Sequence, residues 1–277
     1  MSYLVIQGPE VETPDLKEIA KLSGASRIEG LGGNAFRLHE YKTQDGVAQY
    51  CARAKLDFAF MPQPRKLSDF GLVAMDMDST LITIECIDEI ADLQGIKPQV
   101  AAITASAMRG EIEYHESLRR RLAFLAGMDE AALQRVYDER LRLSPGAERM
   151  LERLRSLGIK TLLVSSGFTF FTERLKERLS LDYTLSNTLG IENHKLTGKV
   201  LGRIVDAKDK AAKLRELRDG LRLSRDQVIA FGDGANDLAM MAEASVSIAY
   251  HAKPVVREKA TYCFDYVGLD GLFNLYD

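Results

Sequence analysis

MDMDST, residues 75–80, follows the apolar run Leu72-Val73-Ala74. Side chains alternate with a period of two along an extended chain, so Asp76 and Asp78 point to the same side. Two carboxylates that close resist being ionised together. The chain nonetheless places both at the end of a buried strand, Gly71–Met75, and helical periodicity follows at once. Such a strand reads as the first of an open α/β sheet, whose ligands sit beyond the carboxyl ends of its strands.

Working outward toward the C-terminus, residues 84–141 show only helical periods. Ile84, Ile87, Ile90 and Ala91 share a face that ends at Gly95, Pro98–Arg109 is a second helix, and Leu118, Leu122 and Leu125 mark a third. Asp129 can cap a fourth helix that carries Leu133 and Val136. A helical insertion over about 84–143 therefore interrupts the sheet after its first strand. From Pro145 helices and strands alternate: helix Pro145–Leu157, strand Thr161–Val164, helix Phe168–Leu179, strand Val228–Phe231, helix Asn236–Ala242 and strand Val246–Ala249. This order predicts a parallel, doubly wound, Rossmann-like sheet.

Toward the N-terminus the pattern is β-α-β-β-α-β. Strands are expected at Tyr3–Gln7, Arg27–Leu31, Ala35–His39 and Leu56–Met61, helices at Asp15–Leu22 and Gly46–Ala54, and a hairpin turn at Gly32-Gly33-Asn34. The pattern suits a small split-βαβ sandwich with helices on one face. Pro62-Gln63-Pro64-Arg65-Lys66 is a stiff polar connector, which divides the chain into a small α+β domain, 1–66, and a larger domain, 67–277.

With 46% hydrophobic and 28% charged residues the composition is that of an ordinary globular protein. A net charge of −3 gives no basic field, which argues against nucleic acid as a partner. No apolar stretch approaches the ~20 residues that span a bilayer, and the opening MSYLVIQGPEVE lacks the basic region of a signal peptide. Cys51, Cys86 and Cys263 are odd in number and widely spaced, as expected for reduced, buried thiols in a cytoplasmic protein.

Three strand ends bring chemistry to one crevice: DMDST (76–80), VSSGF (164–168) and FGDGAND (231–237). Clustered carboxylates need a counter-ion, and a hard divalent cation such as Mg²⁺ suits oxygen ligands beside a phosphate. Ser165, Ser166 and backbone N–H groups at a helix N-terminus form an anion cradle. Lys208, in VDAKDK, supplies a point charge for the same phosphate, although Lys210 and Lys213 beside it also fit a solvated face. None of the four histidines lies in a strand-end motif. Asp76 is then the nucleophile, attacking phosphorus to give an aspartyl-phosphate, with Asp78 as general acid and base.

In order, DMDST, VSSGF, the Lys208 segment and GDGAND resemble the four motifs of the haloacid-dehalogenase superfamily. From about Gly71 onward the chain resembles that superfamily's bacterial phosphoserine phosphatases, with further matches at Glu85 in STLITIECIDEIAD, Arg121 in YHESLRRRL, and AYHAKPVVREKA (249–260). The resemblance implies Mg²⁺ held by Asp76, the Asp78 backbone carbonyl and Asp233. It also implies substrate contacts from Glu85, Arg121, Ser165, Lys208 and Asn236, with Asp237 bracing the site. The implied substrate is O-phospho-L-serine, at the last step of serine biosynthesis. Ser166 stands where the family often has Gly. The first part of the chain resembles the small amino-acid-binding (ACT-like) domain of some bacterial members. Two alternatives stand beside this reading: a phosphatase or phosphotransferase for another small phosphomonoester, and an amino-acid-sensing module. A homodimer is left open.

Overall fold

The computed structural model describes residues 2–276. The N-terminal elements run β1 (Tyr3–Gln7), α1 (Thr13–Ser23), β2 (Arg27–Gly32), β3 (Ala35–His39), α2 (Val47–Ala54) and β4 (Asp57–Met61). Their strands form an antiparallel sheet in the order β2-β3-β1-β4, the split-βαβ arrangement expected from the sequence. Alternation along β1 gives the sheet two apolar faces. Leu4 and Ile6 pack with Leu16 and Ile19 of α1 and with Val47 and Cys51 of α2.

The opposite face is not solvated. Tyr3, Val5, Ala59 and Met61 join one hydrophobic cluster with Phe70, Leu272, Leu275 and Tyr276. Tyr3 Oη donates to the Leu275 carbonyl at 2.9 Å, and the Asp57 carboxylate accepts the backbone N–H groups of Asp265, Tyr266 and Val267 at 2.9–3.1 Å. Even the connector is anchored: the Arg65 guanidinium lies 4.0 Å from the Phe70 ring centroid and donates to the Asp226 carbonyl at 2.5 Å. Residues 62–66 join two sheets that share a core instead of spacing two independent bodies.

The larger part begins with β5 (Leu72–Asp76), buried along its whole length. The inserted helices follow: α3 (Cys86–Asp92), α4 (Lys97–Met108), α5 (Tyr114–Ala123) and α6 (Ala131–Arg135). Then come α7 (Ala147–Ser156), β6 (Lys160–Phe168), α8 (Thr169–Leu179), β7 (Tyr183–Glu192), β8 (Lys195–Leu201), α9 (Ala207–Gly220), β9 (Val228–Gly232), α10 (Leu238–Met241), β10 (Val246–Tyr250), α11 (Pro254–Arg257), β11 (Tyr262–Phe264) and α12 (Leu272–Tyr276). Seven strands order as β11-β10-β9-β5-β6-β7-β8, parallel except for β8. The chain leaves β5 toward β6 on one side and later returns to place β9 on the other. The carboxyl end of β5 is thus a topological switch point, where open α/β sheets form crevices.

The β7–β8 hairpin is an element that the sequence reading did not assign. Asn193 and His194, both at positive φ, make its two-residue turn. The hairpin braces the helical insertion: Gly127 N–H donates to the Leu196 carbonyl, Leu196 N–H to the Met128 carbonyl, and Glu130 N–H to the His194 carbonyl. The two chain crossings into and out of the insertion pair with each other at Ile82 and Leu143. The insertion is therefore tied down at its base and along α5.

Removing the Asp57 carboxylate strands three amide donors at the junction of the two sheets. Asp57→Ala should lower the melting temperature by several degrees, since an unmet buried donor costs ~1–3 kcal/mol and each kcal/mol shifts a chain of this size by ~2–4 °C. Thermal unfolding followed by circular dichroism reads this directly. An unchanged transition would show that the junction does not depend on Asp57.

Candidate active site

Strand register decides which side chains meet. Asp76 pairs with Val164 and Met75 with Phe231, so the residues just past each strand end converge. Asp76 is 5% exposed and Asp233 9%, while Asp237 is wholly buried. Carboxylate oxygens of Asp76, Asp233 and Asp237 all lie within 4.8 Å of one another.

The counter-charge comes from Lys210. Its ammonium is wholly buried and bonds Asp76 Oδ1 at 2.5 Å and Asp237 Oδ1 at 2.8 Å. This corrects the expectation for Lys208, whose side chain is exposed. Asp206 caps α9 by accepting the N–H groups of Lys208 and Asp209, which sets the phase of the helix. Two residues further on, a rotation of about 200° sends the Lys210 side chain inward while Lys208 faces water. Asp237 also accepts the N–H groups of Asp233 and Gly234 through Oδ2, so both of its oxygens are committed to bracing. Gly232 lies against it so closely that a Cβ there would meet Asp237 Cβ at 2.5 Å.

After β5 the chain makes one wide turn, Met77–Leu81, with Ser79 at positive φ. The turn points Asp78 at the start of α3, where it accepts the Cys86 N–H at 3.0 Å. Ser79 Oγ donates to Glu85 at 2.8 Å. At the end of β6, Ser165 is 1% exposed and its hydroxyl accepts the Gly167 N–H at 2.8 Å. A Cβ on Gly167 would come within 2.9 Å of Ser165 Oγ and 3.0 Å of Asp78 Oδ2, so glycine keeps the cradle open. Asn187, on β7, fixes this loop by donating to the Ser166 carbonyl at 2.7 Å and accepting the Val205 N–H at 2.8 Å.

These groups line a cavity of about 670 Å³, a size that takes a small ligand. From the sheet come Asp76, Asp78, Ser166, Gly167, Asp233 and Asn236, and from the helical insertion Glu85, Tyr114, Ser117 and Arg121. Lys253 closes one rim. Of the residues named from the sequence, Ser165 lies directly behind the wall, Asp237 beneath it, and Lys208 outside. Asn187 and Tyr114 were missed, Lys210 was read only as a neighbour of Lys208 that fits a solvated face, and Lys253 lay in AYHAKPVVREKA without a role of its own.

Charge is unbalanced here. Three carboxylates against one ammonium leave two negative charges, and this donor set of hard oxygens fits a divalent cation that would neutralise them. Burial pushes the Asp76 carboxyl well up, Asp237 adds repulsion, and Lys210 pulls it back. Burial, then repulsion from Asp237 and Glu85, lifts Asp233 to about 7. For Asp78, burial and then Glu85 raise the carboxyl to about 7 against the Cys86 N–H, so it can carry a proton near neutral pH. Lys210 is drawn down by burial, yet Asp237 and Asp76 more than offset that and hold it charged.

Comparison with known proteins agrees with this geometry. The family of haloacid dehalogenase-like hydrolases matches residues 73–242, and a domain of unknown function matches residues 4–45. A phosphoserine phosphatase from Polaromonas sp. is 54% identical over 215 residues, covering 76% of this chain and 91% of that protein. A HAD family hydrolase from Salmonella enterica serovar Typhi superposes with a TM-score of 0.90 at 34% identity, over 100% of this chain and 99% of the other. A phospho-aspartyl intermediate analogue of phosphoserine phosphatase superposes with a TM-score of 0.70 at 32% identity, over 78% of this chain and 100% of the other. With its strand-end aspartates, its cradle and its inserted helices all in place, the chain belongs to the haloacid dehalogenase-like hydrolases.

Proposed function

We propose that this chain hydrolyses O-phospho-L-serine to L-serine and phosphate with the help of Mg²⁺, in the cytoplasm, as the last step of serine biosynthesis. One observation carries the reading. A single cavity joins a lysine-braced carboxylate and a phosphate cradle on its sheet side to Glu85 and Arg121 on its helical side. Phosphoserine has the matching groups: a phosphate for the cradle, an ammonium for Glu85 and a carboxylate for the guanidinium fork of Arg121. The Polaromonas relative, named for this activity, and the solved phospho-aspartyl analogue support it.

Asp76 attacks phosphorus, and the seryl oxygen leaves with the proton of Asp78. Asp78, now ionised, takes a proton from water as that water attacks phosphorus and frees Asp76. Lys210 holds Asp76 in one rotamer throughout, and Asp237 holds Lys210. Mg²⁺ between Asp76, the Asp78 carbonyl and Asp233 would supply positive charge for the phosphoryl oxygens. Ser166, Gly167 and Asn236 surround the phosphate, Ser165 braces them from behind, and the insertion over 84–143 shields it from bulk water.

On this reading residues 1–66, the ACT-like part, contribute no chemistry. Tyr3, Val5, Ala59 and Met61 of this part cover the apolar face formed by Phe70, Leu272, Leu275 and Tyr276. Intact strand-end aspartates argue against a purely sensing module.

Two outcomes follow. Exhaustive chelation should abolish turnover and added Mg²⁺ should restore it, as followed by phosphate release; full activity in metal-free buffer would refute the metal site. Arg121→Ala should cut kcat/KM for phosphoserine by roughly 30-fold or more, the range expected for removing one partner of a desolvated charge pair, ~2–5 kcal/mol. Turnover of a simple aryl phosphate should fall far less. Equal losses on both substrates would assign Arg121 to the phosphate or the fold, and phosphoserine would lose its main support.

A further inference from the structure

Two hydroxyls where the helical insertion meets the sheet are buried with no hydrogen-bond partner: Tyr114 Oη and Ser166 Oγ. Tyr114 is the first residue of α5, Ser166 lies in the cradle at the end of β6, and both line the cavity. Burial raises the Tyr114 phenol, and the neighbouring Ser166 hydroxyl pulls it back, ahead of the cations of Arg121 and Lys210. The next residue, His115, lies 3.3 Å from Asp206, the cap of α9, so the start of α5 reaches the sheet side.

Buried hydroxyls left unmet are uncommon and costly in folded proteins, so a pair on two residues that line one cavity points to a ligand. Ser166 has little freedom apart from its hydroxyl, since its carbonyl is held by Asn187. A serine hydroxyl can donate once and accept as well, which suits it to the middle of a chain of three groups.

We propose that Tyr114 is a positioning residue that acts through Ser166: when a phosphoryl group fills the cradle, Ser166 Oγ donates to a phosphoryl oxygen and Tyr114 Oη donates to Ser166 Oγ. The group being transferred then completes a hydrogen-bonded bridge from α5 to the sheet. Glycine at 166 would remove the middle member and leave Tyr114 with nothing to hold. The inference rests on the phosphatase reading above, but it concerns the phosphoryl group alone and not the amino-acid part of the substrate.

The test is a double-mutant cycle in the Mg²⁺-loaded full chain with Tyr114→Phe, Ser166→Gly and the double variant. Ser166→Ala replaces Ser166→Gly should the glycine variant fail to fold. Steady-state constants are measured on phosphoserine and on an aryl phosphate, and inorganic phosphate binding by calorimetry. Tyr114→Phe, which removes one oxygen, should lower kcat/KM about tenfold on both substrates, the size of one hydrogen bond to a charged network. Phosphate binding should weaken in parallel, and the same substitution should cost under about twofold where Ser166 is already gone. Equal losses in both backgrounds, or no loss in the parent chain, would overturn the bridge. A parent chain active on aryl phosphate but not on phosphoserine would refute the substrate reading alone, because aryl phosphate and inorganic phosphate still test the bridge.

Discussion

A single buried ammonium organises the catalytic end of this sheet. Lys210 joins Asp76 on β5 to Asp237 beyond β9, and Asp237 in turn holds the Asp233 and Gly234 amides. Removing one partner of a buried ion pair costs about 3–5 kcal/mol, because the other charge is left without compensation. The arrangement therefore fixes the Asp76 rotamer and the turn that carries Asp233 at the same time. It also explains why three carboxylates can gather where water is scarce. One cation is built in, and the two remaining charges suit a divalent ion.

The sheet topology supplies what the ion pair needs. Because β6 and β9 flank β5, the loops after all three strands open into one crevice. The helical insertion enters and leaves through paired crossings at Ile82 and Leu143, and the β7–β8 hairpin props α5 from the side. Glu85 and Arg121 are thus held at a fixed reach from the cradle, and the selectivity proposed above depends on that reach. The N-terminal sheet contributes no residue to the lining of this crevice. Its connection to the rest is structural, through a shared apolar cluster and the Asp57 clamp.

Much of this was legible in the sequence, because it depends on short-range pattern. A short apolar run located β5 and its terminal aspartates, and the alternation of helices and strands after Pro145 located the parallel sheet. What escaped depends on phase and on contacts distant in sequence. Choosing between Lys208 and Lys210 requires knowing where α9 starts, and the Asp206 cap settles that only once the chain is folded. Asn187 lies on a strand that went unassigned, although the alternation in YTLSNTLGIE and the Asn193-His194 turn were there to be read. Tyr114 looks like an ordinary aromatic at a helix start until Ser166 is seen opposite it. The Pro-rich connector marked a domain boundary, but composition could not show that the second face of the small sheet packs on Phe70, Leu272, Leu275 and Tyr276.

The most direct measurement compares Lys210→Met with Lys208→Met, each confirmed as folded by circular dichroism, for turnover of phosphoserine in Mg²⁺ buffer. Lys210→Met should lose roughly 10²–10³-fold or more in kcat, as expected when a preorganised charge is taken from the reacting group, while Lys208→Met stays within about twofold, as an exposed surface charge should. A folded Lys210→Met that turns over normally, or a larger loss in Lys208→Met, would contradict the account.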